Sequence, residues 1–173
     1  MTPGVGGRAV ALALAASVCA AAALAQSQPA AVAPWRTFTV SWVVTGQRQS
    51  LPTEDGGTST TLQMSGAVVL TVADGLGRGF RGEVIAFTDG DTLLGRFVWT
   101  DQHGDRIFGR LEGEPVEARA RFAGTMTGGT GRYAGISGSF AFTWQYVVKG
   151  EEGVVEGRTI GLEGRYRREA AQP

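Results

Sequence analysis

Arginine and glutamate residues recur within segments of alternating hydrophobicity, where a carboxylate and a guanidinium could meet on one face of a sheet. Buried beside an apolar pocket, such a pair could act as an acid or a base, or could orient a polar group of a ligand. On an outer face, the same residues would form cross-strand ion pairs, each contributing only about 0–1 kcal/mol to stability. The outer position is favoured because these residues mostly alternate with the aromatic ones. The set comprises Glu83, Arg96, Arg110, Glu112, Arg119, Arg121, Glu156 and Arg158.

His103 is the sole histidine, and the residues around it offer no partner for metal or nucleophilic chemistry. A zinc site needs further histidine or cysteine ligands, and no G-x-S-x-G elbow indicates a serine hydrolase. The acidic turns at 89–91 and 101–105 offer the oxygen ligands that calcium prefers, but neither matches the calcium-binding loop motif. Asp-Gly is also common in tight turns. The sequence therefore predicts no metal and no cofactor, with His103 exposed in a turn.

Residues 124–138 read GTMTGGTGRYAGISG, which has the glycine density of a phosphate-binding loop. That loop requires G-x-x-x-x-G-K-[ST] followed by a helix N-terminus, whereas Arg132 stands in place of the lysine and a strand pattern follows. The segment is instead typical of a tight turn between antiparallel strands, because glycine tolerates positive φ and the close approach of another backbone. The predicted structural glycines are Gly128, Gly129, Gly131, Gly135 and Gly138.

Large aromatic side chains supply the apolar faces of the predicted strands. Burying one such side chain is worth about 1.5–3 kcal/mol, so these residues are first of all a core. Aromatic side chains that line a cavity would also suit a flat hydrophobic ligand. Both interpretations stay open, because parity along a strand does not distinguish the interior of a barrel from its exterior. The predicted core and ligand-lining residues are Trp42, Phe97, Trp99, Phe140, Phe142, Trp144 and Tyr146.

The N-terminus has the features of an export signal. Arg8 precedes an apolar stretch at 9–24, and the A-x-A site at 23–25 predicts cleavage of a signal peptide at 1–25. The alternative is an uncleaved N-terminal anchor. The single cysteine, Cys19, lies within the signal, so the predicted mature chain has no disulfide and no thiolate. Without Arg8, 15 basic residues face 16 acidic ones, which argues against generic binding to nucleic acid or anionic membranes.

From residue 35 onward, apolar and polar residues alternate with period two, and glycine-bearing turns separate the segments. Eight such strands either close into an antiparallel β-barrel or stack as a β-sandwich, and glycines within the strands favour the barrel because closure requires local bending. The polar stretch at 46–60 is predicted to be a mobile loop at the barrel mouth. The barrel domain spans 35–168, between a flexible lead-in at 26–34 and a disordered tail at 169–173. The predicted strands lie near residues 35–44, 62–72, 79–88, 92–100, 107–111, 117–126, 134–148 and 154–168.

Two segments resemble the allene oxide cyclase and dirigent superfamily. The stretch GGTGRYAGISG at 128–138, followed by an aromatic alternating strand, is similar to the G-G-T-G-aromatic turn of those proteins. The stretch WTDQHGDRIF at 99–108 resembles the D-x-x-G-D turn of exported bacterial relatives. The resemblance implies a small eight-stranded barrel with a hydrophobic cavity, often assembled as a trimer. It assigns no catalytic residue to this sequence.

These observations predict an exported single-domain barrel, periplasmic or secreted, with no membrane span in the mature chain. The favoured function is non-catalytic binding of a small hydrophobic ligand. An isomerase or cyclase would instead confine a reactive apolar substrate in the barrel, and an interaction module would use the 46–60 segment or exposed strand edges. Inward polar residues at the base of an open cavity would favour the enzyme, an apolar cavity the binder, and a filled barrel with an apolar outer patch the interaction module.

Overall fold

The computed structural model describes residues 33–73, 75–114, 119–150 and 153–169. The predicted signal peptide and residues 170–173 of the predicted tail lie outside these ranges. Eight strands make up most of the described residues, with one short 3-10 helix, Gly131–Tyr133, between the sixth and seventh. The strands are β1 (Arg36–Pro52), β2 (Thr58–Ala73), β3 (Gly79–Asp89), β4 (Thr92–Asp101), β5 (Arg106–Gly113), β6 (Arg121–Gly129), β7 (Ile136–Lys149) and β8 (Val154–Arg168).

The strands form one closed sheet in chain order. Each strand pairs with its neighbours in antiparallel ladders, and β1 closes the sheet by pairing with β8. The predicted eight-stranded antiparallel β-barrel is therefore confirmed, and the sandwich is not formed. In β3, every second residue from Phe80 to Thr88 is buried, as period-two alternation predicts. Closure leaves little free edge, but residues 48–52 of β1 pair with β2 and not with β8. Binding through exposed strand edges therefore stays a prediction.

The polar segment at 46–60, predicted to be a loop, is mostly β-structure. β1 continues to Pro52 and β2 begins at Thr58, so that only a turn at 53–57, closed by backbone hydrogen bonds, connects them. The prediction was wrong because this part of the β1–β2 pair extends past the core. All side chains at 47–52 are exposed, and therefore no alternation of apolar residues marks the strand.

The sixth strand begins later than predicted. Arg119 has a φ of 71°, and neither it nor Ala120 belongs to β6, which starts at Arg121. A residue in the left-handed conformation cannot continue an extended strand. The alternation of apolar and polar residues therefore placed the start of the predicted strand too early. The predicted start at residue 117 lies outside the described residues.

The barrel has two distinct ends. The corner end carries the β4–β5 turn at 102–105 and the glycine-rich β6–β7 connection at 130–135. The ribbon end carries the β1–β2 turn at 53–57 and the β3–β4 turn at 90–91. The two ends hold different chemistry.

Aromatic rings occupy the lumen toward the corner end. Trp99 is fully buried, with its ring stacked on Phe140 at a centroid distance of 5.4 Å and tilted against Phe97 at 5.3 Å. Phe38 and Phe80 approach the same indole at 6.4 and 6.0 Å. Packed rings of this kind add specific geometry to the large apolar area that they bury.

Glycines on the inward face make room for these rings. A Cβ atom on Gly109 would lie less than 3.0 Å from the Phe97 ring, and one on Gly124 would be as close to the Phe140 ring. An eight-stranded barrel is only wide enough for side chains to fill, so large rings face positions that have no side chain. The sequence pattern predicted bending at the strand glycines. Gly161, which has a φ of 62° where the β7–β8 register shifts, fits that role, whereas Gly109 and Gly124 serve packing.

The arginine–glutamate set faces outward, as the alternation favoured. Every member is exposed or half-buried, so the structure excludes a buried acid–base pair built from this set. An ion pair on the outer surface joins Arg81 and Glu83 at 3.1 Å, two residues apart on β3. In the β4–β5 register, Arg96 lies directly opposite Arg110. The prediction of cross-strand ion pairs on the outer face is therefore wrong at this position.

Candidate functional site

The barrel interior contains a small apolar cavity toward the ribbon end. Its volume is about 30 Å³. A drug-sized ligand needs a pocket of roughly 300–1,000 Å³. The cavity is therefore too small for such a ligand in this conformation of the barrel. Residues that line the cavity include Trp42, Val84, Leu111, Phe142, Trp144 and Thr159.

The predicted ligand-lining aromatic residues divide into two groups. Trp42, Phe142 and Trp144 line the cavity, whereas Phe97, Trp99 and Phe140 are packed in the ring cluster toward the corner end. Tyr146 is half-buried, and its ring lies edge-on to Trp144 at 5.7 Å. The structure thus brings three of the seven to one cavity. Ligand binding by any of the seven stays a prediction.

Two cavity-lining indoles carry buried N–H groups without a hydrogen-bond partner among the described residues. They are Nε1 of Trp42 and Nε1 of Trp144. The Thr159 hydroxyl is occupied, because it accepts a hydrogen bond from the backbone N–H of Trp42 at 3.3 Å. A buried donor left unpaired costs about 1–3 kcal/mol. The wall of the cavity is apolar throughout, so neither N–H group is exposed to a guest inside it.

We expect Val84→Ile to stabilise the fold by filling this cavity. At about 24 cal/mol per Å³ of cavity, a volume near 30 Å³ corresponds to about 0.7 kcal/mol. Urea unfolding measures the change. Val69→Ile, the same substitution at an exposed position of β2, is the control and should change stability by less than about 0.5 kcal/mol. A loss of stability in Val84→Ile would show that the extra methyl group does not fit the space.

A larger concave surface lies on the outer face of β1–β4 and is called the outer groove. Its volume is about 570 Å³, and it is open to solvent. Gly46 and Gly66 lie on the paired strands β1 and β2, and a Cβ atom on either would lie less than 3.0 Å from the backbone of the other strand. Sequence patterning does not find this groove, because its residues come from four strands and meet only through register. Its side chains include Gln47, Gln63, Arg81, Glu83, Ile85, Arg96 and Val98.

At the corner end, a buried carboxylate joins the two segments that carry the family resemblance. One oxygen of Asp101 accepts hydrogen bonds from the backbone N–H groups of His103 at 2.8 Å and Asp105 at 3.1 Å. The other accepts one from the Tyr133 hydroxyl at 3.0 Å, and Arg132 lies 3.6 Å from it. The Asp101 side chain is only 2% exposed. The carboxylate therefore shapes its own turn and holds the glycine-rich connection against it.

The glycine-rich connection is a turn, as predicted, and its glycines have specific geometric roles. Gly128, Gly131 and Gly135 have φ values of 154°, 50° and 73°. A Cβ atom on Gly131 would also clash with the Asp105 carboxylate, and one on Gly129 would meet the Tyr133 backbone. Gly138 lies in β7, where a Cβ atom would be 2.5 Å from the Arg165 carbonyl oxygen. Gly131 and Gly135 thus lie in the connection itself, whereas Gly128 and Gly129 end β6.

The sequence contains a signal for the inward position of Asp101 that the turn-based interpretation missed. Asp101 continues the parity of Phe97 and Trp99 along β4, and both of those side chains point into the core. Parity therefore places this carboxylate on the same face as the two aromatic rings. The partner, Tyr133, comes from a connection 32 residues away, and sequence distance hides that contact.

Burial and hydrogen bonding shift both groups of this pair. Burial raises the pKa of Asp101, but hydrogen bonds from His103, Tyr133 and Asp105, with the charge of Arg132, outweigh it and hold the pKa below its ordinary value. Burial, together with the hydrogen bond and the negative charge of Asp101, raises the pKa of Tyr133 to about 12. At neutral pH the pair is therefore an ionised acceptor and a neutral donor, which is the arrangement that a hydrogen bond requires.

We expect the contribution of Tyr133 to stability to fall at alkaline pH. Its pKa is raised from about 10 in the unfolded chain to about 12 in the fold, so its contribution is complete below pH 10 and is lost as the pH rises through 12. Urea unfolding of the protein and of Tyr133→Phe should give a stability difference that shrinks from about pH 9 to about pH 11. A difference that stays constant over this range would contradict the assignment.

His103 is exposed in the β4–β5 turn, as predicted. Within the described ranges, no group of three or more histidine, cysteine, aspartate or glutamate residues is placed to hold a metal ion. The acidic turn at 101–105 instead uses its first carboxylate to accept hydrogen bonds from its own backbone. Among the described residues, no helical segment has the length and apolar character needed to cross a membrane.

Comparison with protein-family models, curated proteins and solved structures finds no match to this chain. The resemblance to the allene oxide cyclase and dirigent superfamily, based on 99–108 and 128–138, therefore stays a prediction. Function must be argued from the geometry of the barrel itself.

Proposed function

We propose that this protein is an exported, non-catalytic binding protein that holds its ligand in the outer groove on β1–β4. The contrast between two volumes carries the proposal. The cavity inside the barrel measures about 30 Å³, whereas the outer groove measures about 570 Å³, within the usual range for small-molecule sites. A filled barrel with a concave outer face favours binding on its surface.

The placement of the titratable groups supports a non-catalytic function. The buried carboxylate of Asp101 is at the corner end, beyond Trp99 from the cavity, and both of its oxygens already accept hydrogen bonds. Glu83, the carboxylate in the outer groove, is exposed and paired with Arg81. Neither group has the combination of burial and an open hydrogen-bonding position that tunes a general acid or base.

Two substitutions, one that obstructs the outer groove and one that fills the cavity, test where the ligand binds. Ser65→Trp places a large side chain in the outer groove. Val44→Ile adds a methyl group to the cavity, and Val44 lines the cavity but not the groove. The purified protein is titrated by calorimetry with a panel of ten-carbon amphiphiles, and chemical-shift mapping locates each bound compound. Binding in the outer groove should be lost in Ser65→Trp and kept in Val44→Ile. The opposite result would transfer the site to the lumen.

A guest in the lumen is the second candidate function, and the apolar, aromatic lining of the cavity favours it. This function requires the cavity to expand from about 30 Å³ as a ligand enters. Such a ligand would change the tryptophan emission, because Trp42, Trp99 and Trp144 are all buried in the barrel. A ligand in the outer groove would leave that emission largely unchanged.

Export and self-association complete the proposal. Cleavage after residue 25 is checked by mass spectrometry of the protein recovered from its host. Light scattering across a range of concentrations tests the homo-oligomer, a trimer by family resemblance. Exposed apolar side chains on β7 and β8, Val147 and Ile160 among them, offer an area away from the groove that a second copy could cover.

A further inference from the structure

Arg96 is an unneutralised cation in the wall of the outer groove. Among the described residues, no carboxylate lies within ion-pair distance of its guanidinium, and Glu83 is engaged by Arg81 at 3.1 Å. Its cross-strand neighbour on β5 is Arg110, and like charges in directly opposite positions destabilise a sheet. A bound anion would relieve this repulsion, and a planar guanidinium binds a carboxylate through paired hydrogen bonds.

An apolar strip begins beside this cation. Ile85 lies directly opposite Arg96 in the β3–β4 register, and Phe87 lies opposite Leu94 in the same ladder. The three apolar side chains are 67%, 47% and 58% exposed, so they are available to a ligand. Alternate residues of a strand share one face and lie about 7 Å apart. The strip therefore extends along the outer face from the position of Arg96 toward the ribbon end.

We propose that an amphipathic monocarboxylate binds with its carboxylate on Arg96 in the outer groove. Its hydrocarbon chain would lie along Ile85 and then along Phe87 and Leu94, which continue the same outer face beyond the groove. This inference rests on the proposed function and names the class of ligand. Charge complementarity favours a single negative charge, because the charged side chains that line the groove, Arg81, Arg96 and Glu83, leave one positive charge there.

Decanoate and decanol, which share a chain and differ in the headgroup, test the proposal below their aggregation concentrations. Calorimetry on the whole protein should show decanoate binding that Arg96→Gln weakens at least about tenfold, the loss expected for a charge-assisted contact. Phe87→Ser should weaken it as well. The matched control is Arg121→Gln, which removes an exposed arginine on the outer face of β6 and should leave the affinity unchanged.

The possible outcomes separate this inference from the proposed function. Equal binding of decanol and decanoate in the outer groove would overturn the carboxylate class and leave the surface site standing. Chemical-shift changes mapped to Trp42 and Trp144, with a change in tryptophan emission, would overturn both this inference and the proposed function. Absence of binding by either compound would overturn the ligand class. Concentration-dependent association that covers Ile85 and Leu94 would do the same, and would identify a second copy as the occupant.

Discussion

Replacing Asp101 with alanine is expected to lower the free energy of unfolding by about 2–4 kcal/mol. The change removes the acceptor of three hydrogen bonds, which come from the backbone of His103 and Asp105 and from the Tyr133 hydroxyl. The Tyr133 hydroxyl is buried, and a buried donor without a partner bears its full desolvation cost. The β4–β5 turn and the glycine-rich connection should loosen together. Urea unfolding followed by fluorescence measures the loss.

Asp91→Ala is the matched control, because Asp91 is exposed in a turn at the opposite end of the barrel. Its effect should stay within about 0.5 kcal/mol. The effect of Asp101 should also depend on pH. Its folded pKa lies below the unfolded value of about 3.9, so its stabilisation is present above that value and is lost as the pH falls through the folded pKa. Equal effects of the two variants at neutral pH would refute the structural role of Asp101.

Replacing Gly109 with alanine is expected to destabilise the barrel by about 1–3 kcal/mol, although alanine ordinarily strengthens a strand relative to glycine. The new Cβ atom would lie less than 3.0 Å from both the Phe97 ring and the Thr125 carbonyl oxygen. Phe97 cannot move freely, since its ring also contacts Trp99 and Phe140. Thermal and urea unfolding measure the change, and near-ultraviolet circular dichroism reports whether the rings reorganise.

Gly79→Ala provides the contrast for Gly109→Ala. Gly79 is exposed at the start of β3, and no heavy atom lies within 4 Å of the position that its Cβ would take. The same substitution there should be neutral or stabilising by up to about 1 kcal/mol, through the lower entropy of the unfolded chain. If both glycines tolerate alanine, the lumen has more free space than the ring packing indicates, and a larger ligand would fit inside.

The architecture was largely predictable from local pattern. Period-two alternation and glycine-bearing turns located eight strands, and the bounds of β3, β4 and β8 agree closely with the prediction. The strand predictions were wrong where the alternation of apolar and polar residues does not follow the true strand. Residues 47–52 are exposed on both faces, and Arg119 is in a left-handed conformation at the end of an apparently regular alternation.

The candidate sites were less predictable, because they depend on which residues meet. The aromatic residues were identified, but only the packed barrel shows that Phe97 and Phe140 lie over Gly109 and Gly124 and leave little open lumen. The contact of Asp101 with Tyr133 joins two turns that were each recognised alone.

By itself, the sequence determined the class of fold, the antiparallel order of the strands and the placement of the arginine–glutamate set and the aromatic residues on opposite faces. These features follow from alternation and turn chemistry along one segment at a time. The tertiary structure decided how full the lumen is, which carboxylate is buried and where Arg96 meets Arg110. The physical reason is closure. When β1 pairs with β8, the register of every ladder is set at once, and register determines which distant side chains become neighbours.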